Sequence, residues 1–185
     1  VPSTAKANRG PSAGPANRRA LIDAAREIFA TEGVTAPLSA IAKRAGVGQG
    51  SLYRHFPERV DLAVAVFDEN LGELEVEVAR PETTLDDLLE RVIEQALVST
   101  TIIDMMTLER HDDRLLHLQT RMDAIIGSVL DREKAAGRIG THVVAGDVLL
   151  AISMLASMLV RTDASERRTV ATRAWALFHS AFAPH

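Results

Sequence analysis

Between Ile41 and Phe56 the chain reads IAKRAGVGQGSLYRHF, and its second half gathers Gln49, Ser51, Tyr53, Arg54 and His55 into one short run. Glutamine pairs bidentately with adenine N6 and N7, and arginine with guanine O6 and N7 or with a phosphate. Serine, tyrosine and histidine are ordinary partners for phosphate and sugar. Lys43, Arg44 and Arg59 flank the run as further phosphate contacts, and Gly50 leaves room for backbone to approach a duplex. Ser39 and Gly48 complete the candidate DNA-contacting set.

Those side chains meet a major groove only if they sit on one face of a short, well-supported helix. A helix-turn-helix needs a small residue in its first helix, a residue tolerant of positive φ at the turn, and a large apolar anchor in its second. Ala42, Gly46 and Leu52 supply these, and Val47 and Phe56 add core contacts. Gly46, Gly48 and Gly50 are no dinucleotide fingerprint, because that motif follows a strand and this run follows a helix.

Upstream, Leu21, Ala25, Ile28 and Phe29 share a face at helical spacing and Gly33 is the expected cap. Pro37 is expected to open the second helix, over about 37–45, at its first position, where a missing N–H costs nothing. The third helix is expected over 48–55. Downstream, the pattern predicts helices near 58–79, 84–100, 103–112, 114–136, 145–162 and 166–182. Thr84 with Asp86 and Asp87 suits a helix start. Without credible strand pairs or repeats, the chain reads as all-α with about nine helices. The expected organisation is a flexible tail over 1–15, a three-helix DNA-binding domain over 16–60 and a helical ligand-binding and dimerisation domain over 61–185.

At 185 residues and 46% hydrophobic content the chain is large enough to bury a real core. It has no cysteine, which excludes disulfides, thiolate metal sites and cysteine catalysis and suits a reducing cytosol. No basic-then-apolar signal peptide opens the chain, and Val1 in place of methionine predicts a missing native start. The longest apolar run, Val148–Val160, is shorter than a membrane span and is interrupted by Ser153 and Ser157. Residues 1–59 hold nine Lys/Arg against four Asp/Glu, whereas residues 60–185 hold twelve against twenty-one. A head of +5 on a body of −9 suggests that only the head meets a polyanion.

In Arg19–Gly33 (RALIDAAREIFATEG), Leu38–Ala45 and Gly46–Arg59 (GVGQGSLYRHFPER) the chain resembles the TetR family of bacterial transcriptional regulators. The sequence likeness covers about residues 17–67; beyond it, the likeness is one of helix number and length. Many members carry serine or threonine where this chain has Gly48, and threonine near Pro37, and glycine is the weaker cap. The resemblance implies a cytoplasmic homodimer, nucleoid-associated when bound to a palindromic operator. It also implies a small effector, here of largely apolar character, that releases the DNA. Repression is the expected mode, with no catalytic residues, cofactor or metal. A helical protein-binding adaptor, or an enzyme with a relic DNA-binding head, are the alternatives.

The two terminal helices are apolar enough to need cover, either within one chain or from a second copy. Leu149, Ile152, Leu155, Leu159, Ala174, Leu177, Phe178 and Ala181 are the dimer-interface candidates. Phe67, Leu71, Leu89, Val92, Met105, Met106, Leu118, Met122, Ile125 and Met154 are candidates for an adaptable apolar pocket or for plain core. Arg121 and His117 are either polar anchors for a ligand or salt-bridged. Asp113 and His117, with Glu109 another four residues back, stand at metal-ligand spacing for one helix face, a spacing also common among solvated charges. Lys6, Arg9, Arg18 and Arg19 form either a minor-groove arm or a solubilising tail.

Overall fold

The computed structural model describes residues 14–33, 35–94, 113–163 and 165–184. Among these there are eight helices and no strand. They are α1 (Gly14–Glu32), α2 (Leu38–Arg44), α3 (Gln49–His55), α4 (Arg59–Val78), α5 (85–94), α6 (Asp113–Ala135), α7 (Ala145–Val160) and α8 (Arg167–Phe182). The helix expected over 103–112, the tail before Gly14, Lys6, Arg9, Met105, Met106 and Glu109 lie outside the described residues.

α1 turns Leu21, Ile22, Ala25, Ile28 and Phe29 inward. Gly33 follows it at φ 81°. α2 begins at Leu38, one residue after the position expected, with Pro37 at the N-cap and extended. Its end is a Schellman turn: the Val47 N–H reaches the Ala42 carbonyl (3.0 Å) and the Gly46 N–H reaches Lys43 (3.2 Å). Gly46 adopts φ +66°, which a side chain would strain. α6 stops in the same way at Gly137, φ +68°. Gly48 and Pro37 give their helices no side-chain cap, in keeping with the departure from the family pattern.

Leu52, 1% exposed, is the anchor of α3, and it packs with Ala42, Val47, Phe56, Phe29 and Ile41. This head core continues into α4 through Leu62 and Val66. A second core begins at Leu71 on the same helix, and Phe67 packs against both. The expected boundary at 60/61 falls where α4 starts, whereas the cores change hands between Val66 and Leu71. A continuous helix leaves no linker there, so head and body share a rigid strut.

The body packs α4 on α6, α6 on α7 and α7 on α8. Its core holds Leu71, Leu74, Leu88, Leu118, Ile126 and Val148. α5 starts on a capping box as Thr84 predicts. The Asp87 N–H donates to the Thr84 hydroxyl oxygen (3.1 Å), and the Thr84 N–H and hydroxyl donate to the Asp87 carboxylate (2.9 and 2.7 Å). These bonds, the hydroxyl first, hold the Asp87 carboxyl below its ordinary value. A depressed carboxylate stabilises the fold fully above its unfolded pKa, about 3.9, and loses that contribution as pH falls through the folded value. Asp87→Asn should therefore lower stability at pH 7, by well under about 1 kcal/mol because the exposed carboxylate is screened by solvent. Urea unfolding should show that difference shrink toward pH 3; a pH-independent gap would mean that charge plays no part.

Candidate nucleic-acid interface

α3 presents Gln49, Gly50, Tyr53 and Arg54 to solvent, with Tyr53 52% exposed, while Ser51 and His55 are half-buried at its edges. Gly50 and Arg54 lie about 160° round the helix from the Leu52 anchor and Tyr53 about 100°, so burial of one leucine turns these positions outward. Gly48 and Gly50 meet nothing within 4 Å of a built Cβ, which leaves the N-terminal end of α3 open to close approach. Arg54 curls back along its helix, with Nε donating to the Gly50 carbonyl at 3.3 Å. The dipole of so short a helix adds a modest positive field at that end.

Around α3 the basic set divides. Ser39 and Lys43 are exposed on α2. Arg44 is exposed but paired with Glu27 on α1, Nε to Oε2 2.7 Å. A surface pair of this kind is worth under about 1 kcal/mol and yields readily to a phosphate. Arg59 is half-buried and donates to the Ala36 carbonyl, tying α4 to the loop before α2. That bond engages Nη1 alone of a guanidinium with five N–H donors, so a brace to the loop and the expected phosphate contact are compatible. Arg18 lies over the Phe56 ring at 5.4 Å, and Arg19 stands near Asp23 and Glu69.

α4 is laced to its neighbours by arginines on three helices. Arg26 of α1 reaches Glu73 (3.0 Å) and Arg91 of α5 reaches the same carboxylate (3.4 Å). Arg114 of α6 donates to Glu58 and to Asp61, each at 2.8 Å, at the very start of α4. Arg121 gives Nε and Nη2 to Glu75 (2.7 Å each) and Nη1 to Asp68. The Arg121 guanidinium holds the Glu75 carboxyl below its usual value, and the same bonds raise Arg121. Of the two readings the sequence left for Arg121, anchor or salt bridge, the structure shows the salt bridge, with Glu75 and Asp68. His117 faces Asp68 at 3.3 Å. Among the described residues no group of three His, Cys, Asp or Glu is placed to hold a metal.

Of the pocket candidates, Leu71, Leu89, Leu118 and Ile125 are closed in the body core, and Phe67, Val92 and Met122 pack half-buried against it. Two open grooves flank α5, one toward α4 and one toward α8, and neither is lined by any of these residues. Met154 is corrected outright: at 54% exposure it points away from the core. Among the interface candidates, Leu155 and Leu159 are corrected, since both are buried within the chain against Ala171 and its neighbours. Leu149, Ile152, Ala174 and Phe178 are half-buried on the same inner side, whereas Leu177 and Ala181 are exposed. The outward stripe of α7 is instead Leu150, Met154 and Met158. Its spacing of four was visible in the sequence, but so was the stripe that became the core. No described helix is long and apolar enough to cross a membrane.

The profile of bacterial regulatory proteins of the tetR family matches residues 21–66, the stretch that builds the head. Residues 21–66 are thus a DNA-binding head of the TetR type. It is 41% identical over 83 residues to the HTH-type transcriptional repressor LfrR of Mycolicibacterium smegmatis, covering 43% of each chain. It is 34% identical over 89 residues to the HTH-type transcriptional regulator AcrR of Shigella flexneri, covering 43% of this chain and 41% of that one. The chain thus spans about two fifths of the length of the curated relatives it matches. A TetR transcriptional regulator of Streptomyces coelicolor superposes with a TM-score of 0.67 at 26% identity, over 90% of this chain and 98% of that one. A gamma-butyrolactone receptor shares the fold at a TM-score of 0.56 and 22% identity, over 89% of this chain and 87% of that one. The TetR assignment therefore rests on sequence in the head and on architecture in the body.

Proposed function

We propose that this TetR-family chain is a dimeric, ligand-responsive transcriptional repressor that binds a palindromic operator. The observation that carries the reading is the α3 face: Gln49, Tyr53 and Arg54 stand exposed on a helix locked by Leu52 and the Gly46 turn. The candidate contacts are Ser39, Lys43, Arg44, Gly48, Gln49, Gly50, Ser51, Tyr53, Arg54, His55 and Arg59. Repression is supported by the name of the Mycolicibacterium relative, and a small-molecule site by the receptor that shares the fold.

Dimerisation is supported by the exposed apolar stripe of Leu150, Met154 and Met158 on α7 with Leu177 on α8, which a two-fold related copy would cover. Two copies of α3 would then enter successive major grooves about 34–36 Å apart. Ligand action is supported by α4, a single helix rooted in both cores and tied to α6 at its first turn by Arg114. An effector that binds one position of α6 better than another shifts α4, and with it the spacing of the heads.

The adaptor reading draws on the same stripe, as a surface for a different protein. Selection of binding sites from random duplexes tests the proposal, and a two-fold palindrome is the expected result. Salt-sensitive binding with no consensus would overturn operator reading.

A further inference from the structure

We infer that the groove between α5 and α8 binds a small organic cation with an aromatic or otherwise apolar body. The groove has a volume of about 500 Å³, within the range of small-molecule sites. Trp175 and Ile93 line it, and both also pack against the apolar cores beneath. The Trp175 indole is held in place, its Nε1–H donating to Asp86 Oδ1 at 2.8 Å, and His179 Nδ1 lies 3.1 Å from the same oxygen. An indole fixed by its edge presents its face as a rigid wall, which suits stacking and cation–π contact.

The charge around that wall is negative. Asp86, Glu90 and Glu94 stand in the lining against Arg168. Glu94 is shared with Arg91 at 3.4 Å, and Glu90 is exposed on α5. The groove on the other side of α5 adds Glu73, Glu77 and Asp87 against Arg80 and Arg91, so the field of the whole wall favours a cation. The carboxylates are strung along an apolar surface and do not converge to a metal cluster among the described residues. Spread charge beside an aromatic face matches a bulky or delocalised cation better than a point charge, which would have to be dehydrated.

The groove is compatible with the proposed dimer. Trp175 and His179 lie about 160° round α8 from Leu177, at 100° per residue, so a second copy seated on Leu177 leaves them accessible. The inference deepens the sensor reading by naming an effector class, and rests on that reading only for the link to DNA.

Trp175 is the single tryptophan and therefore the reporter. The purified chain is titrated, without DNA, with tetraphenylphosphonium and with its anionic counterpart of the same shape, tetraphenylborate. The expected result is a saturable change in Trp175 emission with the cation, none with the anion, and binding about fivefold weaker in Glu90→Gln. No saturable change, an equal response to the borate, or an unchanged Glu90→Gln isotherm would each overturn the inference. A protein that binds the cation but selects no palindrome loses the operator reading and keeps this one. A protein that selects a palindrome but ignores the cation does the reverse.

Discussion

Tyr53→Ala is expected to lower affinity for the selected operator about 10- to 100-fold, the range for losing one or two good contacts at a duplex. Tyr53 is more than half exposed and outside the head core, so its removal should leave thermal stability within about 0.5 kcal/mol of the parent. Arg54→Ala should act alongside it with a different signature. If Arg54 meets a phosphate, binding weakens on all sequences and the slope of log affinity against log salt becomes shallower by about one; if it meets a guanine, specificity relaxes at one position. Filter binding across a salt series, with melting curves of both variants, separates these outcomes. Full operator affinity in both variants would show that the α3 face is not the reading surface.

Leu150→Asp with Met154→Asp is expected to convert the proposed dimer to monomers. Each side chain is more than half exposed in the isolated chain and would be covered by its two-fold mate. Burying one such side chain is worth about 1.5–3 kcal/mol, and symmetry counts every substitution twice. Placing carboxylates there adds the cost of desolvating them. A rise of at least about a thousandfold in the dimer dissociation constant follows from these terms. Sedimentation equilibrium reads it directly. The head cores are remote from these positions, so the monomer should keep its helical content and its weak, salt-sensitive affinity for a half-site. A double variant that still dimerises would place the interface elsewhere. A parent chain that is already monomeric would turn the same stripe into support for the adaptor reading.

Arg59 and Tyr53 differ in a way that a charge count does not show. Both lie in the run that resembles the family, and both were candidate DNA contacts. Arg59 is half-buried and gives Nη1 to the Ala36 carbonyl, while Tyr53 faces solvent. A cation brackets a recognition helix equally well whether it reaches out to phosphate or in to a loop carbonyl, and only the path of the loop before α2 distinguishes the two.

What the sequence by itself determined is local in origin. Gly46 had to take a left-handed turn, Ala42 had to be small and Leu52 had to be buried, because each requirement arises from neighbours a few residues away. The same holds for the Thr84–Asp87 helix start and the stop at Gly137. The all-α class followed from such signals repeated along the chain. Tertiary structure alone decided which stripe of α7 faces in. Leu155 and Leu159 are no more apolar than Leu150 and Met154, and what buries the first pair is the position of α8. Tertiary structure also set the partners of Arg121, 46 and 53 residues away in sequence, and brought Asp86 to Trp175 across 89 residues. Periodicity shows that a helix has an apolar face; where every face is apolar, or where a charge has many possible partners, only the packing of distant elements makes the choice.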